Sequence, residues 1–432
     1  MKLSVPPDYQ ALDERSLPTF LSRIPSVAAQ LGGEFSDWRV YEIGDGYLNL
    51  VFRVEGLHRS VCVKQAVPYV RAFGEDWPMT LERTTFQYQC QIEHSRYCES
   101  NVPRIYHYDS HLFLIVMEYL TPHITMRHGL LGTVYYPHFA EHISEYLARS
   151  LFFTSSFFLT SEEKKQKMAF FCGNTKLCKI IEDAVFTDPF WLAKNNKWTS
   201  PQLNGIAAEF RHDAPLKLAV SRLKLKHMTN AEALIHGDLH TGSIMLTPES
   251  TMVIDHEYAF YGPMAFDVGN IIGNLLLNYF AQDGYATTEQ PREEYQAWIL
   301  KTVEDVWTYF YDKFISLWEQ YPINEAYTEQ LFADPTGQEA LAQERKLYLG
   351  QIFTDALGFA GVEMIRRIIG FGHTIDLDGI ENPDRRAKSE ISCLRLGREL
   401  AVNAESYQNI NDVTATARKI KTVSTRTAIQ SL

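Results

Sequence analysis

Apolar and polar positions are most sharply patterned near the start of the chain. Val51-Phe52-Arg53-Val54 and Val61-Cys62-Val63-Lys64 are β-branched or aromatic runs on either side of the polar stretch Glu55 to Arg59. That pattern predicts a hairpin inside a strand-rich region over residues 37–66. From Leu81 to about Glu99 neither glycine nor proline interrupts the chain, which predicts a helix. Two more strands are predicted, over 103–108 and 112–117, the second so continuously apolar that both its faces should be buried. After Thr121-Pro122 the pattern turns helical and aromatic-rich over roughly 138–230. Two short strand-like pieces interrupt this region, Ala233-Leu234-Ile235 and Thr251-Met252-Val253-Ile254, and each runs into an acid, Asp238 and Asp255. Helical spacing resumes near Asp267 and continues to Arg398. The last thirty or so residues, rich in Thr, Ser, Ala and Lys, read as a weakly packed tail.

The order of elements predicts an α+β, bilobal fold. Residues 1–120 form a small β-rich lobe, 121–402 a larger α-rich lobe, and 403–432 a polar tail expected to be disordered. Composition narrows the functional classes. The chain has 432 residues, 45% of them apolar and 22% charged, so it can bury a large core. A net charge of −12 disfavours nucleic-acid binding, which depends on neutralising phosphates with cations. The six cysteines form no C-x-x-C pair, as in reduced cytosolic proteins. The opening MKLSVPPDYQALDE has no apolar signal-like run, and no stretch reaches the ~18 apolar residues of a membrane span. A cytoplasmic protein without a membrane partner is expected.

The densest chemistry lies in His236-Gly237-Asp238-Leu239-His240-Thr241-Gly242-Ser243, followed by Asp255-His256-Glu257. Asp238 and Asp255 are 17 residues apart, room for a loop, a hairpin and a second loop. Phosphoryl transfer needs such a pair: one carboxylate orients and deprotonates a hydroxyl, another holds a metal bridging the phosphates. Asp255 and Glu257, two apart at a strand end, would project to the same side if the extended geometry persisted. The histidines lack the H-E-x-x-H pattern or a cysteine pair, which argues against zinc. Taken singly, each of these acids reads more readily as a turn former or a cap; the combined pattern is the specific signal.

Upstream, Gly44-Asp45-Gly46-Tyr47-Leu48-Asn49 precedes the hairpin that carries Lys64, a lysine set in an apolar strand. A flexible turn over a triphosphate and a strand lysine reaching its oxygens would fit a kinase; a plain hairpin turn and a surface lysine are the alternative. Glu118-Tyr119-Leu120 would join the lobes and offer backbone groups to an adenine. Arg366-Arg367 interrupts an apolar helical run. Neighbouring helical positions point about 100° apart, so one arginine at least is directed inward, where it needs an anion such as Glu363.

These motifs together resemble those of the protein-kinase-like small-molecule kinases, which include aminoglycoside and choline kinases. Within that superfamily, residues 236–244 and 255–270, the stretch from Asp45, the Glu75-Asp76-Trp77-Pro78 segment and the arginine pair are similar to the methylthioribose kinases. Ser243 stands where the wider superfamily has Asn, and the methylthioribose kinases share the serine. The resemblance implies a protein-kinase-like fold with ATP and Mg2+ between the lobes, and methylthioribose phosphorylated at its anomeric hydroxyl in methionine salvage. It implies Asp238 as catalytic base and Asp255 and Glu257 as magnesium ligands. Asp45, Gly46, Asn49 and Lys64 would contact the phosphates, and Glu118, Tyr119 and Leu120 the adenine. Trp77, Asp238, Arg366 and Arg367 would line the sugar site, and a homodimer is expected.

One departure stands out. The kinase lysine usually pairs with a glutamate on the helix after it, and this chain has Gln87 at the expected position. The Lys64 pair is therefore expected to be weakened rather than lost. Two competing readings follow: a kinase for an aminoglycoside, choline or another sugar, or a nucleotide-binding scaffold without turnover.

Overall fold

The predicted hairpin anchors the first lobe of the computed structural model, in which residues 5–43, 48–71 and 74–430 are described. Strands β1 (Arg39–Glu42), β2 (Asn49–Glu55), β3 (Ser60–Ala66), β4 (Tyr69–Val70), β5 (Gly74–Pro78), β6 (Ile105–Asp109) and β7 (Leu114–Glu118) belong to this lobe. Five of them form an antiparallel sheet in the order β1-β2-β3-β7-β6. The two-residue period of a strand sorts its side chains. Phe52, Val54, Val61 and Val63 turn to one face and pack on Leu17, Leu21, Val27 and Leu31. Those leucines and the valine come from helices α1 (Ser16–Ser22) and α2 (Pro25–Leu31), which the sequence pattern did not reveal. Lys64 therefore points to the opposite face, the one that carries α3 (Arg83–Ser95).

The remaining strands are short: β8 (Ile124–Thr125), β9 (Ala233–Ile235), β10 (Ile244–Leu246), β11 (Thr251–Val253) and β12 (Phe260–Gly262). They make two small sheets, β11-β10-β8 and β12-β9, that lie among the helices of the second lobe. These helices are α4 (Met126–Leu131), α5 (Phe139–Phe153), α6 (Ser161–Phe171), α7 (Thr175–Ala184), α8 (Asn204–His212) and α9 (Ala214–Thr229). After the small strands come α10 (Met264–Tyr285), α11 (Glu293–Gln320), α12 (Glu329–Phe332), α13 (Pro335–Ile369), α14 (Ile375–Asp378), α15 (Pro383–Asn403) and α16 (Ile410–Gln430).

Helix α10 is buried along almost its whole length, and α13 and α15 pack against it. A Cβ on Gly361 of α13 would lie 2.3 Å from the Gly397 carbonyl oxygen of α15, so only glycine permits this approach. The close seating sets the end of α13, with its arginine pair, over the loops that follow β9 and β11. Phe86 and Cys90 of α3 share an apolar cluster with Phe171, Leu234, Ala259 and Tyr261, which joins the two lobes.

The C-terminal segment departs from expectation. Residues 410–430 form a helix rather than a disordered tail, and Ile410, Val413 and Ala417 are buried in the main core. Its apolar positions are few but recur at helical spacing, enough to dock on α11 and α15. Among the described residues no helix is long and apolar enough to cross a membrane.

Candidate active site

Strand β9 is fully buried and delivers His236-Gly237-Asp238 to the cleft. The backbone of this turn is held by Asp267 in the first turn of α10, whose carboxylate accepts from the His236 N–H at 2.6 Å and the Gly237 N–H at 3.0 Å. Gly237 has φ +81°, and a Cβ there would sit 2.3 Å from the Tyr258 carbonyl oxygen. Only glycine fits. His236 Nε2 donates to the Ile254 carbonyl at 2.8 Å, and its Nδ1 accepts from the Asp238 N–H at 3.2 Å. Ser243 Oγ donates to the Asp238 carbonyl at 2.9 Å. The backbone of Asp238 is thus tied on both sides, which fixes its carboxylate in the cleft.

Three cationic or hydrogen-bonding groups face that carboxylate. Arg366 Nη2 lies 3.4 Å and Arg367 Nη2 3.9 Å from Oδ1, and His240 Nε2 lies 3.4 Å from Oδ2. Burial would raise the Asp238 carboxyl, but the His240 ring and the two guanidinium groups hold it far below the usual carboxylate range. Burial pushes the His240 imidazole down to about 4, against the pull of Asp238. Glu363, itself buried, accepts from Arg366 Nε at 2.5 Å and from Arg367 Nε at 2.8 Å. The ion pair to Glu363 read from the sequence and the approach of both arginines to Asp238 therefore coexist.

On the other wall of the cleft, Lys64 Nζ is bonded to Asp255 Oδ1 and lies 3.8 Å from Glu257 Oε2. Both carboxylates raise the lysine, against the lowering effect of burial. Within the cleft, desolvation of Asp255 is outweighed by Lys64, so its carboxyl is lowered; burial raises that of Glu257. The strand alternation expected to bring Asp255 and Glu257 to one side is not what the structure uses. Asp255 adopts a left-handed conformation, φ 73° and ψ 44°, and a single 3-10 turn, His256–Tyr258, carries Glu257 back towards Lys64. Such strain in a non-glycine residue is typical of a functional turn.

The expected lysine partner also differs. Lys64 is held by Asp255 and Glu257, whereas the Gln87 amide oxygen is buried without a hydrogen-bond partner among the described residues. Glu93 is engaged by Lys167 and Arg96, and Glu82 by Thr80, so neither replaces it. Helix α3 instead presents a cation, Arg83, to Glu257.

Asn49 opens β2 and donates to Glu257 Oε2 at 2.9 Å. Asp45 and Gly46 lie outside the described residues. Glu118 ends β7 with its N–H on the Arg104 carbonyl at 2.8 Å; Tyr119 lies under the Arg53 guanidinium at 5.0 Å, and Leu120 is nearly buried. Trp77 of β5 stacks on Phe371, just past the end of α13, with ring centroids 5.6 Å apart and planes at 29°. It thereby bridges the first lobe and the arginine-bearing end of the second.

Residues 39–299 match the phosphotransferase enzyme family. The chain is 43% identical to methylthioribose kinase 1 of Oryza sativa subsp. japonica over 408 residues, 94% of each protein. It is 41% identical to the methylthioribose kinase of Escherichia coli O45:K1 (strain S88 / ExPEC), covering 96% of this chain and 99% of that protein. The chain belongs to the methylthioribose kinase family. A third relative, from Bacillus cereus (strain G9842), is 41% identical over 83% of this chain and 86% of its own.

Four residues that shape this candidate site were not singled out from the sequence. Asp267 had a usable signal, an acid in the first turn of an otherwise apolar helix. Arg83 and Arg127 had none. Arg127 of α4 lies 3.3 Å from His240 Nδ1 and 3.4 Å from Asp376. Asn174 donates to the Glu257 and Ala259 carbonyls at 2.9 and 3.0 Å, a support visible only in three dimensions.

Helices α3 and α5 meet the Asp255–Glu257 turn through a buried chain of His94, Tyr146 and His256. The His94 Nδ1 pairs with the Tyr146 hydroxyl at 2.9 Å, which is 3.2 Å from His256 Nε2. Burial lowers His94 to about 4 and His256 well below the ordinary imidazole value. Both are neutral in the folded kinase, so the unfolded chain binds more protons below its own imidazole pKa of about 6.5. Stability is therefore complete above that pH and falls as pH drops towards 4, by about 1.4 kcal/mol per pH unit for each histidine. The urea midpoint should decline steadily over that window; a flat profile would contradict the buried neutral state.

Proposed function

We propose that this chain transfers the γ-phosphoryl group of ATP to the anomeric hydroxyl of methylthioribose, giving methylthioribose 1-phosphate and ADP, a step of methionine salvage. The observation that carries the reading is the pair of opposed walls: Asp238 with Arg366 and Arg367 on one side, Lys64 with Asp255 and Glu257 on the other. A neutral sugar that becomes an anion suits the first wall, and a magnesium nucleotide the second. Asp238 accepts the proton of the anomeric hydroxyl as the anomeric oxygen bonds to the γ-phosphorus and the bond from that phosphorus to the ADP oxygen breaks. The low pKa of this carboxylate suits orientation and late proton acceptance, which is sufficient where bond breaking leads bond making. Arg366 and Arg367 stabilise negative charge on the transferred group.

Asp255 and Glu257 offer hard oxygen donors and already attract the Lys64 ammonium, so the space they share suits a divalent cation. Among the described residues no group of three or more His, Cys, Asp or Glu is arranged for a metal. Magnesium held here would complete its shell with phosphate and water oxygens, and would supply charge neutralisation of the phosphates. Asp45, Gly46, Asn49 and Lys64 are assigned to the phosphates, Glu118 to Leu120 to the adenine, and Trp77 to the sugar side. A cytoplasmic homodimer belongs to the same proposal, supported by the resemblance in sequence.

Two buried arginines argue against a cationic acceptor such as an aminoglycoside or choline. The test is ADP formation with methylthioribose, ribose, choline and kanamycin as acceptors. Turnover with methylthioribose alone is expected. Turnover with another acceptor only would overturn the substrate, and binding of magnesium nucleotide without turnover on any would favour a scaffold.

A further inference from the structure

Arg83 is the first residue of α3 and is completely buried. A cation is electrostatically misplaced there, because the helix N-terminus carries the positive end of the dipole. Burial makes the position worse unless an anion compensates. The guanidinium spends its donors on segments from three parts of the first lobe. Nε donates to Asn49 Oδ1 at 3.1 Å, Nη2 to the Leu48 and Val67 carbonyls at 2.7 and 3.0 Å, and Nη1 to the Thr80 carbonyl. Leu48 and Asn49 lead out of the proposed phosphate-covering loop, Val67 lies three residues past Lys64, and Thr80 lies three past Trp77. All of these partners are neutral. The carboxylate beside Arg83 is Glu257 of the second lobe, 3.6 Å from Nε, and Asn49 bonds both Arg83 and that same Glu257 oxygen.

We propose that Arg83 is a positioning residue that holds Glu257 and Asn49 in register, so that the first lobe's phosphate-binding segments meet the second lobe's metal-binding carboxylate. The usual tether between strand lysine and helix glutamate runs here with its polarity reversed: the helix supplies the cation and the metal-side turn the anion. A local rule is broken at the N-terminus of α3, and the compensation lies at the functional site. This rests on the reading of Lys64, Asp255 and Glu257 as the magnesium–nucleotide wall.

The test is calorimetric binding of ADP to the full chain, with and without Mg2+, in wild type and Arg83→Gln. Wild type is expected to bind ADP more tightly with Mg2+; if it does not, the underlying assignment fails and the role of Arg83 with it. In Arg83→Gln the magnesium-dependent affinity is expected to fall by about tenfold, the scale of one charge-assisted hydrogen bond. Affinity for metal-free ADP should change less than about threefold, because Arg83 acts through Glu257. Unchanged MgADP affinity, or an equal loss with and without metal, overturns the proposal. A purely structural role would lower the binding stoichiometry and leave the affinity of the folded fraction intact. In a Glu257→Gln background the Arg83→Gln change should add less than about twofold, and full additivity would also overturn it. Should Arg83→Gln not fold, Arg83→Lys carries the same measurement: the charge is kept, but one ammonium cannot reach Asn49, Leu48, Val67 and Thr80 together. Wild-type MgADP affinity in that variant would count against the role.

Discussion

Asp238→Asn is expected to lower kcat by about 10²–10⁴-fold, the usual contribution of a positioned base. The substitution is nearly isosteric, and the bonds that fix the turn involve the backbone of residue 238 rather than its side chain. Folding and MgADP affinity should therefore stay close to wild type. Removing the carboxylate also frees Arg366 and Arg367 of one anion, so binding of the phosphorylated product should be as tight as in wild type or tighter. Single-turnover kinetics with methylthioribose, beside product binding by calorimetry, separate the two effects. A kcat within about tenfold of wild type would remove Asp238 from the role of base.

The second large effect is on stability. Glu363→Gln replaces a carboxylate that bridges two buried guanidinium groups and also accepts from Asn274 Nδ2 at 2.9 Å. Burial would raise this carboxyl, but Arg366 and Arg367 bring it down to about 2. With the acid gone, two buried cations remain without their shared anion, a loss of about 3–5 kcal/mol. Because the folded pKa is depressed, this contribution is present above the unfolded carboxyl value and is lost as pH falls towards 2. The variant should show a lowered urea midpoint at neutral pH and a shallower acid limb than wild type. Its KM for methylthioribose should also rise, because the arginines lose the bonds that aim them at Asp238. Wild-type stability would mean that another group neutralises the pair.

The first-lobe strands were legible because burial on one sheet face imposes a period of two, and the runs around Val54 and Val61 pair with each other as that period requires. Asp238, Asp255 and Glu257 stood out in the sequence as a cluster past the ends of two apolar strands, although each alone would pass for a turn former or a cap. Helices α1 and α2 and the C-terminal helix were not legible, since each buries only a few side chains and leaves a weak pattern. The partner of Lys64 was misjudged for a different reason. The kinase pattern supplies a position on α3 for its anion, but Gln87 there is neutral, and the lysine turns to the two carboxylates across the cleft.

The sequence by itself determined the lobe order, the positions of the acids and the arginine pair, and the resemblance to a family. Those depend on local periodicity and on residue type at fixed spacing, which a linear chain displays directly. Apart from the pairing of Glu363 with the arginines on its own helix, tertiary structure decided which charges meet. Arg83 reaches Glu257 from 174 positions away in the chain, and Arg366 reaches Asp238 from 128. Buried ions select partners by proximity in a medium that screens poorly, so each such pairing is settled only when the lobes pack.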